Sequence, residues 1–372
     1  MKMKIIVDTH DLYVAKTGIR TYITELIAAL ESIESVELSC LPNYEKVLSC
    51  YFFRRQDVKV IRAICFHIYS FLWKQVILPT LLAFRKVDVV IFPDYYAPLW
   101  KLKPLKVVVF HDAFFWQSPQ DYNPTWLLYF KAAITNGLRG KSIILTVSST
   151  SLKMIKPLYP NNRITYCLTS FSPEFRSSGV NYEIEGEYFL HVGVFEKRKN
   201  LTFLIAAYAH LLRSFDGRSP KLVLVGSHGP KKDLDDSEAI YDAIRYHQLQ
   251  GQVVCTGFLE EGQVSELYKG AIAYLFPSKN EGFGIPILEA FYFGLPVIIS
   301  NQEALKEIGG DAVMVAELGN IDKWSESMHQ LIVNDKLRDT LRVKGKERLQ
   351  LFSREAFATR MQEIFQNEMD KE

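Results

Sequence analysis

The stretch IAYLFPSKNEGFGIPILEAFYFGLPVIIS, from Ile272 to Ser300, decides the fold. An apolar run (272–277) leads into a polar loop carrying Gly282 and Gly284. PILEAFYF then reads as a short helix closed by Gly294, and a second apolar run (295–300) follows. Continuous apolar runs of this length suit strands covered on both faces, as in a parallel sheet, and the helix between them supplies the crossover. The same stretch places Glu281 and Glu289 eight positions apart. Two carboxylates so spaced can be an acid–base pair, a metal site or solvated charge.

The same alternation extends outward along the chain. In the second half, strands are expected at YFLHVG (188–193), KLVLVG (221–226) and QVVCTG (252–257), besides the two already quoted. In the first half they are expected at KIIVD (4–8), VELSCL (36–41), VDVVIF (87–92), KVVVFH (106–111) and SIILTV (142–147), with GIRTYITELIAALESI helical between the first two. Such repetition predicts an α/β protein of two Rossmann-like, doubly wound domains, and 372 residues exceed what one ordinary core holds. The Ser-, Pro- and Gly-bearing segment SFSPEFRSSGVNYEIEGE (170–187) is the expected boundary. We therefore expect domains at 1–175 and 185–352, with a terminal helix over 353–372. Ligands of open α/β sheets bind beyond the carboxyl ends of the strands, so two such domains facing each other would enclose a cleft.

Composition excludes several classes. Hydrophobic content of 48% with 23% charged residues marks a globular chain, not a disordered one. Five cysteines (Cys40, Cys50, Cys65, Cys167, Cys255) without a CxxC spacing argue against a disulfide framework or a zinc site, and for a reducing cytoplasm. MKMKIIVDTH runs straight into a strand pattern, so no signal peptide is expected. The net charge of +2 is unevenly divided: residues 1–180 hold 22 Lys and Arg against 13 Asp and Glu, and the remainder 22 against 29. The basic half would suit an anionic lipid or anionic acceptor, or reflects a chance distribution of surface charge. The most apolar segment, Arg62–Lys86, is interrupted by Lys74 and Pro79 and is too broken to span a bilayer. It fits an amphipathic helix that packs on the sheet, or one that touches a membrane with Phe71, Leu72 and Trp73.

Chemistry-bearing residues cluster just after the expected strands. Gly18 and Arg20 open the first helix, where a glycine admits close approach and the helix end attracts anions. His111 and Asp112 end a strand; a histidine there contacts a substrate hydroxyl, moves a proton, or is a buried side chain satisfied by backbone. Lys197, Arg198, Lys199 and Asn200 precede a helix, and cations at its positive end repel one another and the dipole unless an anion is present. A phosphate or diphosphate would relieve that conflict; a solvated basic loop is the alternative. Pro286 lies near the first helical position, so the amides of Gly282, Phe283, Gly284 and Ile285 are placed to donate to an anion. Glu289 offers two oxygens to a vicinal diol such as a ribose. Asp233–Asp236 (DLDD) has a spacing known from metal sites, but its polar setting before a helix points to capping and solvated charge.

Taken together, EGFGIPILE (281–289), VGVFEKRKN (192–200), the His111–Asp112 pair, TVSSTS (146–151), TGIRTY (17–22) and ALKEIGGDA (304–312) resemble the family-4 retaining glycosyltransferases of the GT-B fold, over about residues 4–350. The resemblance implies a nucleotide-diphosphate sugar donor held mainly by the C-terminal domain and an acceptor held by the N-terminal one. Under it, Lys199 and Arg198 neutralise the diphosphate, Glu289 takes the ribose hydroxyls, and Glu281 with the amides of Gly282, Phe283 and Gly284 holds the sugar. His111 contacts the sugar near the reacting centre, and Gly18 lets its loop approach the diphosphate. The catalytic set so implied is His111, Glu281 and Lys199, with Gly18, Arg198, Lys199, Gly282, Phe283, Gly284, Ile285 and Glu289 binding the donor. No divalent metal, other cofactor or nucleic acid is implied.

Two departures stand out: Val194 occupies a position where many members carry arginine, and CLTSFSPEF (167–175) lacks the usual asparagine–glycine. The expected function is retaining transfer of a hexose-type sugar to a growing, lipid-linked surface glycan by a cytoplasmic enzyme peripheral on the inner membrane face. The alternatives are a soluble acceptor such as a sugar phosphate, and a non-catalytic module that binds sugar nucleotides.

Overall fold

A computed structural model describes residues 2–370 apart from 14, 16–17, 45–46, 48–58, 173–182, 215–218 and 230–232. The expected domain boundary therefore lies largely outside the described residues, as does Cys50. Two compact units are present. One comprises Met1–Ser172 with Phe352–Glu372, and the other Pro173–Leu351.

The first unit is a six-stranded parallel sheet ordered β2-β1-β3-β4-β5-β6. Its strands are β1 (Met3–Asp8), β2 (Val36–Leu41), β3 (Val89–Phe92), β4 (Leu105–Phe110), β5 (Ser142–Thr146) and β6 (Arg163–Tyr166). Every residue of β3 and β4 is buried, which explains the apolar runs VVIF and, after the buried Lys106, VVVF. The edge strand β6 was not expected from sequence. RITY is short and half exposed, so it carries neither an apolar run nor an alternation.

The terminal helix Arg354–Met369, capped by the Ser353 side chain, belongs to this first unit. Phe357, Met361, Ile364 and Phe365 are its buried face, Arg354 reaches Glu25 at 3.3 Å, and Ser170 donates to the other Glu25 oxygen at 2.7 Å.

The Arg62–Lys86 segment resolves into helices Lys59–Leu72 and Leu78–Ala83 joined by a π turn, Trp73–Ile77. The wider turn faces Trp73, Lys74 and Gln75 inward, while Ile68, Phe71, Leu72, Val76 and Phe84 remain exposed. Trp73 therefore does not share the outer face with Phe71 and Leu72: its indole donates to Asp8 at 3.0 Å. Lys74, which breaks the apolar run in the sequence, is buried between Asp8 at 2.7 Å and Asp11 at 3.2 Å. Among the described residues no helix is long and apolar enough to cross a membrane.

The second unit repeats the architecture, ordered β12-β11-β10-β7-β8-β9. Its strands are β7 (Tyr188–Val192), β8 (Lys221–Val225), β9 (Val253–Gly257), β10 (Ala273–Phe276), β11 (Val297–Ser300) and β12 (Met314–Ala316). The last is another short, half-exposed edge that the sequence did not signal. Helices Leu201–Ser214 and Ile321–Val333 close one side of the core, where Leu204, Tyr208, Trp324 and Met328 are fully buried. Strand order reverses between β7 and β10, and at that switch point the loops after both strands meet.

Candidate active site

The loop after β7 turns sharply. Gly193 donates to the Val225 carbonyl at 2.9 Å and Phe195 to Ser227 at 3.0 Å, which holds the segment against the end of β8. A single 3-10 turn, Lys197–Lys199, ends at Asn200 in the left-handed region (φ 59°), and the helix Leu201–Ser214 begins there. Asn200 then donates to the Pro277 carbonyl at 3.3 Å, and Lys279 donates to the Arg198 carbonyl at 2.8 Å. These bonds stitch the basic loop to the glycine loop after β10. Gly284 takes φ 117° as the helix Ile285–Tyr292 starts, and a Cβ there would lie 3.0 Å from Leu305.

The stitching brings the charges together. Arg198 Nη1 lies 2.9 Å from Glu281 Oε2, Lys199 Nζ lies 2.6 Å from Glu281 Oε1, and Arg198 Nε lies 2.7 Å from Glu196. The counter-charge that the basic loop requires thus comes from the chain itself, which sequence reasoning did not foresee. The Glu281 side chain is 11% exposed and held from two sides. Burial alone would raise its carboxyl, but Lys199 and Arg198 outweigh that and hold it down at about 2. Burial lowers the Lys199 ammonium, Glu281 opposes the shift, and Arg198 adds to it. Burial also opposes the Arg198 charge, yet Glu281 and Glu196 raise its pKa.

Glu289 is the fifth residue of its helix, one turn beyond the amides at the N-terminus. Tyr268 donates to its Oε2 at 2.7 Å, so one of the two oxygens offered to a diol is already engaged. Burial raises this carboxyl. Burial, reinforced by Glu289, likewise keeps the Tyr268 phenol protonated, so it remains a donor. Tyr268 stacks between Tyr274 and Phe293, with ring centroids 5.7 Å and 5.5 Å away. The second unit therefore brings together Arg198, Lys199, Glu281, Gly282, Phe283, Gly284, Ile285 and Glu289 around the switch point.

Gly18 and His111 lie in the first unit. Gly18 opens the helix Gly18–Glu31. His111 follows β4, where its Nε2–H donates to the Pro93 carbonyl at 2.8 Å and its ring meets Tyr22 edge-on at 5.0 Å. The neighbouring Asp112 is structural: Oδ1 accepts from Tyr95 at 2.8 Å and from the Phe114 amide at 3.0 Å.

Asp235 accepts from the Gly229 amide at 2.8 Å and from the Ser237 hydroxyl at 2.6 Å, a turn-closing role, whereas Asp236, the N-cap of the helix Ser237–Tyr246, makes no side-chain capping hydrogen bond of the kind expected from DLDD. Among the described residues no cluster of three or more His, Cys, Asp or Glu is arranged to hold a metal ion.

Sequence reasoning missed Tyr268 and Tyr274, which support Glu289, and His191 on β7. It also missed a charged group at the strand ends of the first unit: Asp8, Asp11, Lys74 and Asp94. Burial, with Asp11 nearby, raises the Asp94 carboxyl. Their signal was position, since Asp8 ends β1 and Asp94 follows β3 by two residues.

Residues 178–348, most of the second unit, match the family described as Glycosyl transferases group 1. The chain is similar to the O-antigen chain mannosyltransferase B of Escherichia coli, 28% identical over 391 aligned positions that cover 96% of this chain and 98% of that protein. Among solved structures it is similar to the sucrose-phosphate synthase of Thermosynechococcus elongatus, with a TM-score of 0.71 at 16% identity and full coverage of both chains. Another is the Anabaena protein HepE in complex with UDP and glucose, with a TM-score of 0.68 at 15% identity, covering 98% of this chain and 100% of that one. The fold is α/β GT-B, two Rossmann-like domains. The family match and the mannosyltransferase relative support a glycosyltransferase built on that fold.

Proposed function

We propose that this chain transfers a hexose from a nucleotide-diphosphate sugar to a growing, lipid-linked surface polysaccharide, with retention of configuration and without a divalent metal. The observation that carries the donor reading is the pair of cations, Arg198 and Lys199, gathered on Glu281 at the switch point of the matched domain. In this reading a diphosphate takes over those cations, and Glu281 with the amides of Gly282, Phe283 and Gly284 turns to the sugar. Glu289, held by Tyr268, takes the ribose; His111 contacts the transferred sugar, and Gly18 the diphosphate. Departure of the diphosphate then assists deprotonation of the acceptor on the same face of the sugar.

The relative that acts on O-antigen makes a polysaccharide acceptor the first choice and mannose the first donor sugar. A lipid-linked acceptor is supported by the exposed stripe Ile68, Phe71, Leu72, Val76 and Phe84, beside Arg85 and Lys86 in a half of the chain with excess basic charge.

Calorimetry with UDP, GDP and dTDP, followed by transfer assays with the matching sugars, tests the donor. Absence of binding and transfer for all three would sink the reading. The product anomer by NMR tests retention, and unchanged turnover in excess chelator is expected. Sedimentation with anionic vesicles is expected, and its absence would favour a soluble acceptor.

A further inference from the structure

His191 is the fourth residue of β7 and is fully buried, its ring 5.9 Å from Tyr274 and 6.2 Å from Phe276. Its Nδ1 lies 2.8 Å from the carbonyl of Leu275 on neighbouring β10. A carbonyl only accepts, so Nδ1 carries the proton and Nε2 the lone pair. Burial pushes the imidazolium down to about 4, so the ring is neutral at working pH. Nε2 is buried and has no hydrogen-bond partner among the described residues. A buried acceptor left this way is destabilising, so the site favours any donor that can reach it.

That lone pair has a donor close by. A Cβ built on Gly193 would lie 3.4 Å from His191 Nε2, 3.6 Å from Lys199 Cε and 3.9 Å from Lys199 Nζ. Imidazole and ammonium therefore border the same small space beside Gly193, which stays open because that residue has no side chain. The ammonium has three protons, and Glu281 Oε1 takes one at 2.6 Å. A charged acceptor outcompetes a neutral one, so Lys199 leans to Glu281 while that carboxylate is available.

We propose that His191 is a positioning residue for Lys199: its neutral Nε2 accepts a hydrogen bond from the ammonium when Glu281 releases it. Lys199 then keeps both its charge and its place as the carboxylate turns to the donor. A carboxylate at position 191 would hold the lysine against the diphosphate, and an apolar ring would leave the ammonium proton unpaired. The purpose of the exchange rests on the donor reading above, whereas the contact itself does not, and the experiment separates them.

The contact is tested without any ligand by 15N NMR of histidine-labelled wild type and Glu281→Gln, the His191 signal being assigned by its loss in His191→Gln. In Glu281→Gln the His191 Nε2 resonance is expected to move toward its hydrogen-bonded position. The displacement should vanish in the double variant Glu281→Gln/Lys199→Met. An unmoved resonance, or one that moves equally without Lys199, overturns the proposal.

In transfer assays, His191→Phe is expected to lower kcat about tenfold with a smaller change in donor KM, and His191→Gln to recover most of it. Wild-type kcat in folded His191→Phe counts against the proposal as firmly as an unmoved resonance. If His191→Phe does not fold, the resonance decides. If no sugar nucleotide is turned over by wild type, the donor reading fails and the resonance still decides the contact.

Discussion

Lys199 and Glu281 form the tightest ion pair of the switch point, Nζ to Oε1 at 2.6 Å, with Arg198 completing the grip on the other carboxylate oxygen. If both cations serve the donor, Glu281 competes with the diphosphate for them in the free protein. Lys199→Ala and Glu281→Ala should each lower turnover at least about tenfold, equal to about 1.4 kcal/mol of transition-state stabilisation. Glu281→Gln should diverge from Lys199→Ala in binding: it removes the carboxylate that competes for Lys199 and for one side of Arg198, so affinity for plain UDP or GDP should rise while transfer falls. Calorimetry alongside initial rates checks this, and weaker nucleotide binding by Glu281→Gln would show that the pair is not a competitor.

The same pair sets an acid limit. Glu281 is held at about 2, below its ordinary 4.5, because its two cations outweigh burial. A depressed carboxylate contributes stability that is complete above about pH 4.5 and is lost as pH falls toward 2. The depression corresponds to at most about 3 kcal/mol, and the opposite pull of burial on Lys199 reduces the net. Urea denaturation across that range should show a shallower pH dependence in Glu281→Gln than in wild type. Asp11, held down by Lys74 and His10 against its own burial, titrates in both proteins and cancels in the comparison. Parallel curves would mean that the pair does not couple to folding.

Much of this was legible in the sequence because buried parallel strands write themselves as apolar runs. β3, β4, β10 and β11 are buried throughout and were read within a residue or two of their ends. β6 and β12 were not, since an edge strand of three or four half-exposed residues has no such pattern. The cations and carboxylates of the site were readable from their positions after strands, but their pairing was not. Arg198 and Glu281 are 83 residues apart, and only the parallel neighbours β7 and β10 bring their loops together. His191 was hidden for another reason: within an apolar strand, a histidine reads as core.

Lys74 is the residue that the sequence most misrepresented. It appeared to interrupt an apolar helix, yet burial leaves its ammonium between Asp8 and Asp11. Burial opposes the charge, but the two carboxylates more than compensate and raise its pKa. Lys74→Met would take the ammonium from both carboxylates, of which Asp8 is fully buried, and a loss of about 3–5 kcal/mol in the unfolding of the first unit is expected. Lys74→Met/Asp8→Asn/Asp11→Asn should recover much of that loss, because the uncompensated charges are removed with the lysine. Chemical denaturation checks both, and equal stability of wild type and the single variant would make the triad a surface-like pair of little worth.

Gly226 fixes the loop on which Arg198 and Lys199 stand. It directly follows β8 at φ 157°, and a Cβ built there would lie 1.9 Å from the Gly193 carbonyl oxygen and 2.9 Å from its carbon. Both obstacles are backbone, so no rotamer relieves them. Gly226→Ala must push the Gly193 turn off the end of β8, breaking the Gly193–Val225 bond and shifting the basic loop. A loss of about 4 kcal/mol or more is expected, of the size reserved for backbone collisions in a packed site. Gly251 separates collision from conformational strain, because it has φ 84° with nothing within 4 Å of its added Cβ. Gly251→Ala should cost only about 1–2 kcal/mol and leave nucleotide binding intact. Calorimetric unfolding and nucleotide titration of the two variants give the comparison. Equal losses would mean that backbone strain, and not the close approach to Gly193, is what position 226 avoids.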